Sequence, residues 1–185
     1  MVYDKDIMGE FVTLRSITED DAEFSYNIRK DPRFVSIMGQ PASSVEAQRE
    51  YIIRQRSKPG DYYFVVYNRN NEKIGLIGVY DIRGDNCETG RELNIGEPYE
   101  TMEAQVLLYD FCVGVLGLKN NSAIVYKNNP KQINMIKKGI ECEITEIMHN
   151  GIPSYLLKCT FEGQLPRIEK LKKTIHRIAQ MERRG

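Results

Sequence analysis

At 185 residues the chain is long enough for one domain whose core needs no disulfide or metal staple. Hydrophobic residues make up 41% and charged ones 28%, with 26 basic side chains against 26 acidic ones, so no global field draws the protein to nucleic acid or anionic lipid. Met1-Val2-Tyr3-Asp4-Lys5-Asp6 carries acids where a secretory signal is basic and then apolar, and no apolar run nears the roughly 20 residues of a membrane span. A cytoplasmic protein without nucleic-acid or membrane partners is expected.

Gly9 to Thr18 carries Phe11, Val12, Leu14 and Ile17 and reads as an opening strand. Thr18 precedes Glu19-Asp20-Asp21, an N-cap with acids in the first turn of a short helix that ends at Asp31-Pro32. Ser43-Ser44 caps a second helix to about Arg56, with Glu46 as its capping-box acid. The β-formers Tyr62 to Tyr67, the turn Asn68-Arg69-Asn70-Asn71 and the run Lys73 to Tyr80 predict a hairpin. Arg91 to Ile95 reads as a further strand. Thr101 to Leu116 predicts the best helix of the chain, with Val106, Leu107, Phe111 and Val115 on one face and Gly117 at its C-terminal exit. A strand at Ser122–Tyr126 and a short helix from Pro130 to about Gly139 follow. Strands at about Cys142 to His149 and Pro153 to Phe161 are joined by Asn150-Gly151.

From Gln164 onward the pattern changes. Leu165, Ile168, Leu171, Ile175, Ile178 and Met181 fall three or four apart with basic residues between them, which predicts an amphipathic helix. The chain divides on this reading into a domain of residues 1–163 and a tail helix of 164–185 that packs on it or on a second copy in a homo-oligomer. Cys87, Cys112, Cys142 and Cys159 form no CxxC, and His149 and His176 stand apart, so reduced thiols and no metal site are expected.

The element order, with residues at three places, resembles the GNAT superfamily of N-acetyltransferases. Gly9-Glu10-Phe11-Val12-Thr13-Leu14-Arg15 with Asp20-Asp21-Ala22 is similar to the start of the ribosomal-protein acetyltransferase branch. Glu92-Leu93-Asn94-Ile95-Gly96-Glu97-Pro98-Tyr99 is similar to the family's fourth strand and its exit, and Asn129-Pro130 with Ile133-Asn134 and Lys137-Lys138-Gly139 to a late segment. The resemblance covers about residues 9 to 161. It implies an α/β fold, with a mixed, largely antiparallel twisted sheet flanked by helices, and the C-terminal amphipathic helix appended. It also implies transfer of an acetyl group from acetyl-CoA to a primary amine, the acyl-CoA arm lying between the fourth and fifth strands.

On that resemblance Asn94, Ile95, Gly96, Thr101, Met102, Asn129 and Asn134 are the expected acetyl-CoA contacts. The family's glycine-rich loop, which points helix N-terminal amides at the pyrophosphate, is absent: no glycine stands between Gly96 and Gly114. Glu100 and Glu103 occupy the helix start instead and are expected to repel a pyrophosphate. Glu92 is the candidate base and Tyr126 the candidate acid, with Tyr99 a substitute for the latter, because Met135 and Ile136 stand where the family carries its tyrosine. A lone strand glutamate is also an ordinary ion-paired residue, and each tyrosine an ordinary packed aromatic.

Two acceptors follow from the resemblance. The opening strand points to protein N-termini. Glu103 to Phe111 is similar to a run in a second branch, of surface-polysaccharide and sugar-nucleotide pathways, that also lacks the glycine loop; it points to a nucleotide-linked aminosugar, with Arg29, Arg33, Arg54 and Arg56 candidates for its diphosphate. The rewritten loop leaves a third reading open, a non-catalytic binding module on the same fold.

Overall fold

The chain builds one eight-stranded sheet in the order β1-β2-β3-β4-β5-β6-β8-β7, antiparallel at every joint except β5–β6. The computed structural model describes residues 1–35, 41–129, 133 and 141–184. Its strands are β1 Ile7–Met8, β2 Val12–Ser16, β3 Tyr62–Asn68, β4 Lys73–Arg83, β5 Asn86–Asn94, β6 Asn120–Tyr126, β7 Cys142–His149 and β8 Ile152–Thr160. The helices are α1 Ala22–Lys30, α2 Pro32–Val35, α3 Val45–Ser57, α4 Pro98–Asp110 and α5 Phe161–Glu182. The predicted helix from Pro130 lies outside the described residues apart from Ile133, which is helical.

Both faces of the first half of the sheet are covered, which is why β3 is a continuous apolar run rather than an alternating one. Tyr63, Val65, Leu76 and Leu93 pack with Ile17, Ala22 and Ile28 and with Ile52 of α3 on one face. Phe64, Val66, Ile77, Val79 and Cys87 pack on the other against Ala104, Leu108 and Phe111 and against Ile168 and Ile175 of α5. The second half, β6-β8-β7, has only a small core of Val125 and Leu157 with half-buried neighbours.

Caps and turns follow local chemistry. Asp21 accepts from the Thr18 N–H at 2.7 Å and from its hydroxyl at 2.9 Å, and Ser44 accepts from the Ala47 N–H at 3.1 Å. Glu46 is one residue short of closing a box on Ser44 and pairs with Arg49 at 3.3 Å instead. Asn150 and Gly151 both take positive φ, 50° and 76°, as a two-residue hairpin turn demands. The strand expected at Arg91–Ile95 starts earlier: β5 begins at Asn86 and forms a second hairpin with β4.

Two helices depart from their sequence patterns. Residues Phe111–Val115 form a π turn, with Leu116 N–H bonded to Phe111 O at 3.1 Å. The extra residue in that turn rotates the remaining side chains, so Val115, expected on the buried face, is 54% exposed. The tail helix starts at Phe161 because the Thr160 hydroxyl caps Gly163 N–H at 2.9 Å. Its buried stripe runs through Phe161, Gln164, Ile168, Ile175 and Ala179, while Leu165 and Met181 face solvent. Lys172–Asp110 and Arg69–Glu182 pairs, with Tyr109 Oη donating to Phe161 O at 2.8 Å, tie it to the rest of the molecule. No helix among the described residues is long and apolar enough to cross a membrane.

A candidate active site where the sheet divides

Strands β5 and β6 are paired at only three positions, Asn86–Asn120, Cys87–Asn121 and Glu88–Ser122, and then separate. The gap holds a cavity of about 330 Å³. It passes through the sheet: Tyr80, Glu88 and Arg91 line it on the side of α3, and Glu92, Gln105, Gln164 and Arg167 on the side of α4 and α5. Tyr126, Asn129 and His149 line it from the second half of the sheet.

A β-bulge directs the first set. Gly90 pairs with Gly78 and Leu93 with Leu76, so Arg91 and Glu92 together oppose Ile77. Arg91 sits at φ 53°, a left-handed conformation that costs a non-glycine residue about 1–2 kcal/mol. Its guanidinium is held on the α3 side by Asp61, at 2.6 and 3.0 Å, and lies 4.1 Å from the Tyr80 ring centroid. Burial pulls the Arg91 pKa down, but the Asp61 hydrogen bond and charge more than offset it and leave it above its ordinary value. The Tyr80 hydroxyl donates to Glu88 Oε1 at 2.8 Å, and burial, then the Glu88 charge, raises the phenol pKa.

Glu92 turns the other way. Its Oε1 accepts from Gln105 Nε2 of α4 at 2.6 Å, and Gln105 Oε1 accepts from Arg167 of α5. Burial raises the Glu92 carboxyl above the usual carboxylate range, against the Gln105 hydrogen bond and the Arg167 charge, which pull it down. Burial likewise lowers the Arg167 pKa, with the Glu92 charge opposing. Two carboxylates therefore flank the gap from opposite faces, Glu88 and Glu92.

The start of α4 is sealed by its own side chains. Gly96 N–H donates to Asn94 Oδ1 at 2.8 Å, Glu97 N–H donates to Glu100 Oε2 at 2.7 Å, and Pro98 has no N–H. Glu103 accepts from the backbone N–H groups of Glu10, Phe11 and Val12 at 2.7, 2.6 and 2.8 Å. A side chain at Gly9 would put its Cβ 2.5 Å from the Glu103 carboxyl carbon, so only glycine allows this approach. The expectation that Glu100 and Glu103 face a pyrophosphate is thereby corrected. Both are over 90% buried and spent on internal amides.

Of the residues expected from sequence, Glu92, Tyr126 and Asn129 border one cavity. Asn94, Ile95, Gly96, Thr101 and Met102 are not among its walls: Ile95 N–H bonds Ile74 O at 2.8 Å, and Met102 packs into the core. Asn134 lies outside the described residues, as do Met135 and Ile136. Tyr99 stacks on Phe11 with centroids 4.6 Å apart. The four arginines suggested for a diphosphate are engaged elsewhere: Arg33 with Asp31 at 2.6 Å, Arg54 with Glu50 at 3.6 Å, Arg56 with Ile17 O and Arg29 with the Tyr63 hydroxyl at 2.8 Å. None of them lines the cavity. Among the described residues no three His, Cys, Asp or Glu side chains gather as a metal site, and all four cysteines are free thiols.

Sequence reasoning missed Glu88, Arg91, Gln105, His149, Gln164 and Arg167. Gln105 and Arg167 look like solvated helix positions in one dimension; the packing of α4 over β5 brings Gln105 to Glu92, and the crossing of α5 over α4 brings Arg167 to Gln105.

The parting of β5 and β6, with a cavity in the gap, is the arrangement in which the family resemblance puts the acyl-CoA arm. The family model for the acetyltransferase (GNAT) domain matches residues 12–139. The chain belongs to the GNAT acetyltransferase family and is an enzyme of that type. Comparison with curated proteins gives no match. Among solved structures, a GCN5-related N-acetyltransferase from Brucella melitensis is similar with a TM-score of 0.76 at 13% identity, over 94% of this chain and 86% of that one. Apo FdhC, described as a nucleotide-linked sugar GNAT, gives a TM-score of 0.70 at 18% identity, over 95% and 98%. Spermidine N-acetyltransferase from Vibrio cholerae, in complex with CoA and spermine, gives 0.68 at 18% identity, over 83% and 98%.

Proposed function

We propose that the protein transfers an acetyl group from acetyl-CoA to a primary amine through the gap between β5 and β6, the donor entering from the α4–α5 face and the amine from the α3 face. The observation that carries this reading is the cavity itself, lined from both faces of the sheet and walled by ionisable groups on each. An amine attacks only when deprotonated. Glu88, on the acceptor face and oriented by the Tyr80 hydroxyl, is placed to take that proton. The amine nitrogen then bonds to the thioester carbon, the C–S bond breaks, and the leaving thiolate needs a proton. Tyr126, which alternates with Val125 and lies on the Glu88 side of the sheet because Glu88 pairs with Ser122, supplies it and is restored by the second proton that the nitrogen sheds; the His149 ring centroid is 6.1 Å away. Glu92 is the second candidate base, favoured by its raised carboxyl pKa.

For the acceptor we favour the amino group of a nucleotide-linked sugar. The sequence run Glu103 to Phe111 supports it, and so does the similarity to FdhC over nearly the whole chain. Protein N-termini and polyamines are the competing acceptors.

Acetyl-CoA should raise the melting temperature, and go on raising it with the logarithm of its concentration above Kd, and calorimetry should register its binding. The transfer assay then uses nucleotide-linked aminosugars, N-terminal peptides and spermidine side by side. Turnover of peptides or spermidine alone overturns the sugar assignment. Glu88→Gln should cut turnover by roughly a hundredfold or more if it is the base, with the acetyl-CoA KM little changed. The same loss in Glu92→Gln with normal turnover in Glu88→Gln exchanges the two roles.

A further inference from the structure

The four cysteines fall into two neighbouring pairs with opposite surroundings. Cys87 of β5 and Cys112, in the π turn after α4, are 4% and 0% exposed, and Cys87 Sγ donates to Asn120 O at 3.5 Å. A hydrogen bond with Cys87, then burial, raises the Cys112 thiol, so this pair is packed and inert. Cys142 and Cys159 are only half-buried. They stand directly opposite each other on β7 and β8, at the end of the hairpin away from its turn at Asn150-Gly151. Opposite residues of an antiparallel ladder have Cα atoms about 4.5–5.5 Å apart and side chains on one face. That spacing lies inside the roughly 4.4–6.8 Å that a disulfide spans.

Access follows from the same position. Among the described residues β7 is an edge strand held by β8 alone, and a ladder end on such a strand is where fraying begins. Both cysteines line a second cavity of about 970 Å³ beside the start of α5, roomy enough for a small disulfide to enter. Cys159 also lines the cavity between β5 and β6, so the pair belongs to the lightly packed wall of that cavity.

We propose that Cys142 and Cys159 are a thiol–disulfide exchange site that reacts with low-molecular-weight disulfides and, once oxidised, pins the edge strand to β8. Cys142 reacts first, because burial, then the neighbouring Cys142 sulfur, pushes the Cys159 thiol up to about 12 and leaves little thiolate there at neutral pH. The Cys142 thiolate attacks one sulfur of the small disulfide, whose S–S bond breaks, and one small thiol leaves with the proton that Cys142 lost. Cys159 then gives up its proton and attacks Cys142 Sγ in the mixed disulfide, and the second small thiol leaves with that proton. Two protein thiols are oxidised and one small disulfide is reduced to two thiols.

The test is incubation of the full chain with glutathione disulfide, followed by mass spectrometry of the intact protein and of its unreduced peptides. The wild-type chain should lose the mass of two hydrogens, with Cys142 joined to Cys159 and with Cys87 and Cys112 still thiols, and dithiothreitol should reverse the change. Closing a loop of this length should raise the melting temperature by roughly 5–10 °C. Cys159→Ala should stop at a glutathione adduct on Cys142, and Cys142→Ala should take up at least about tenfold less glutathione than Cys159→Ala does. A wild-type chain that keeps the adduct, joins Cys87 to Cys112 or retains four free thiols overturns the proposal, as does a melting temperature that fails to rise. If Cys142→Ala melts early, Cys159→Ala decides, and an adduct anywhere but on Cys142 sinks the assignment.

Discussion

The two halves of the sheet are built to different standards. In β2 to β5 both faces are covered, and two buried charges are held by several hydrogen bonds: Asp61 holds Arg91 with two, and Glu103 collects three backbone amides. In β6-β8-β7 the central core is Val125 and Leu157, and the ion pair Lys127–Glu146 at 2.8 Å is largely in solvent. Three residue pairs join the halves before the strands part. The cavity therefore lies between one densely packed wall and one with a small core. The firm wall keeps the Arg91–Glu92 bulge strained and aimed, and the other half frames the opening.

That contrast can be broken first at its strongest point. Glu103→Ala leaves three backbone N–H groups of residues 10–12 without their acceptor and should cost about 3 kcal/mol or more. Glu146→Ala, removing an exposed partner in the second half, should cost under about 0.5 kcal/mol. Urea unfolding measures both, and equal losses would erase the distinction between the halves.

Next come the cores. Leu76, fully buried between β3 and β5 and under α3, should cost about 4 kcal/mol on replacement by alanine. Leu157, which already borders the cavity, should cost nearer 2 kcal/mol, because the site has fewer surrounding atoms to lose. Leu157→Ala costing as much as Leu76→Ala would mean that the second half is packed as tightly as the first.

The smallest effect concerns the wall of the passage itself. Burial raises the Glu92 carboxyl in the fold, so the native state binds its proton more tightly than the unfolded chain does. That contribution is present at acid pH and is lost as pH climbs from the ordinary glutamate range through the raised folded value. Glu92→Gln removes this titration. The melting temperature of the variant relative to wild type should therefore rise steadily between pH 4 and neutrality, whatever the offset from Arg167. A difference that is flat with pH would place Glu92 in an environment as polar as water.

Most elements were legible along the chain because their signals are local. Alternating or continuous β-formers, Asn150-Gly151 and the caps at Thr18 and Ser44 act within a few residues, and each stands where the pattern put it. The family resemblance, carried by motifs of the same short range, agreed with the fold. Helix phase was less legible where a local rule was broken: the π turn at Phe111–Val115 inserts a residue that no apolar spacing announces. Charge was the least legible of all. A glutamate at a helix start reads as solvated or as repelling a phosphate, whereas Glu100 and Glu103 are folded inward onto amides up to 93 residues away. The site depended on that same long range. Glu92 could be named from its strand, but Gln105 reaches it only once α4 packs over β5, Arg167 reaches Gln105 only once α5 crosses α4, and Asp61 meets Arg91 only across the sheet on the side of α3. Backbone propensity and turn chemistry are decided between near neighbours and so are written in the order of residues. Desolvation and hydrogen-bond satisfaction are decided by whatever the fold brings alongside, and the sequence alone does not contain that neighbour list.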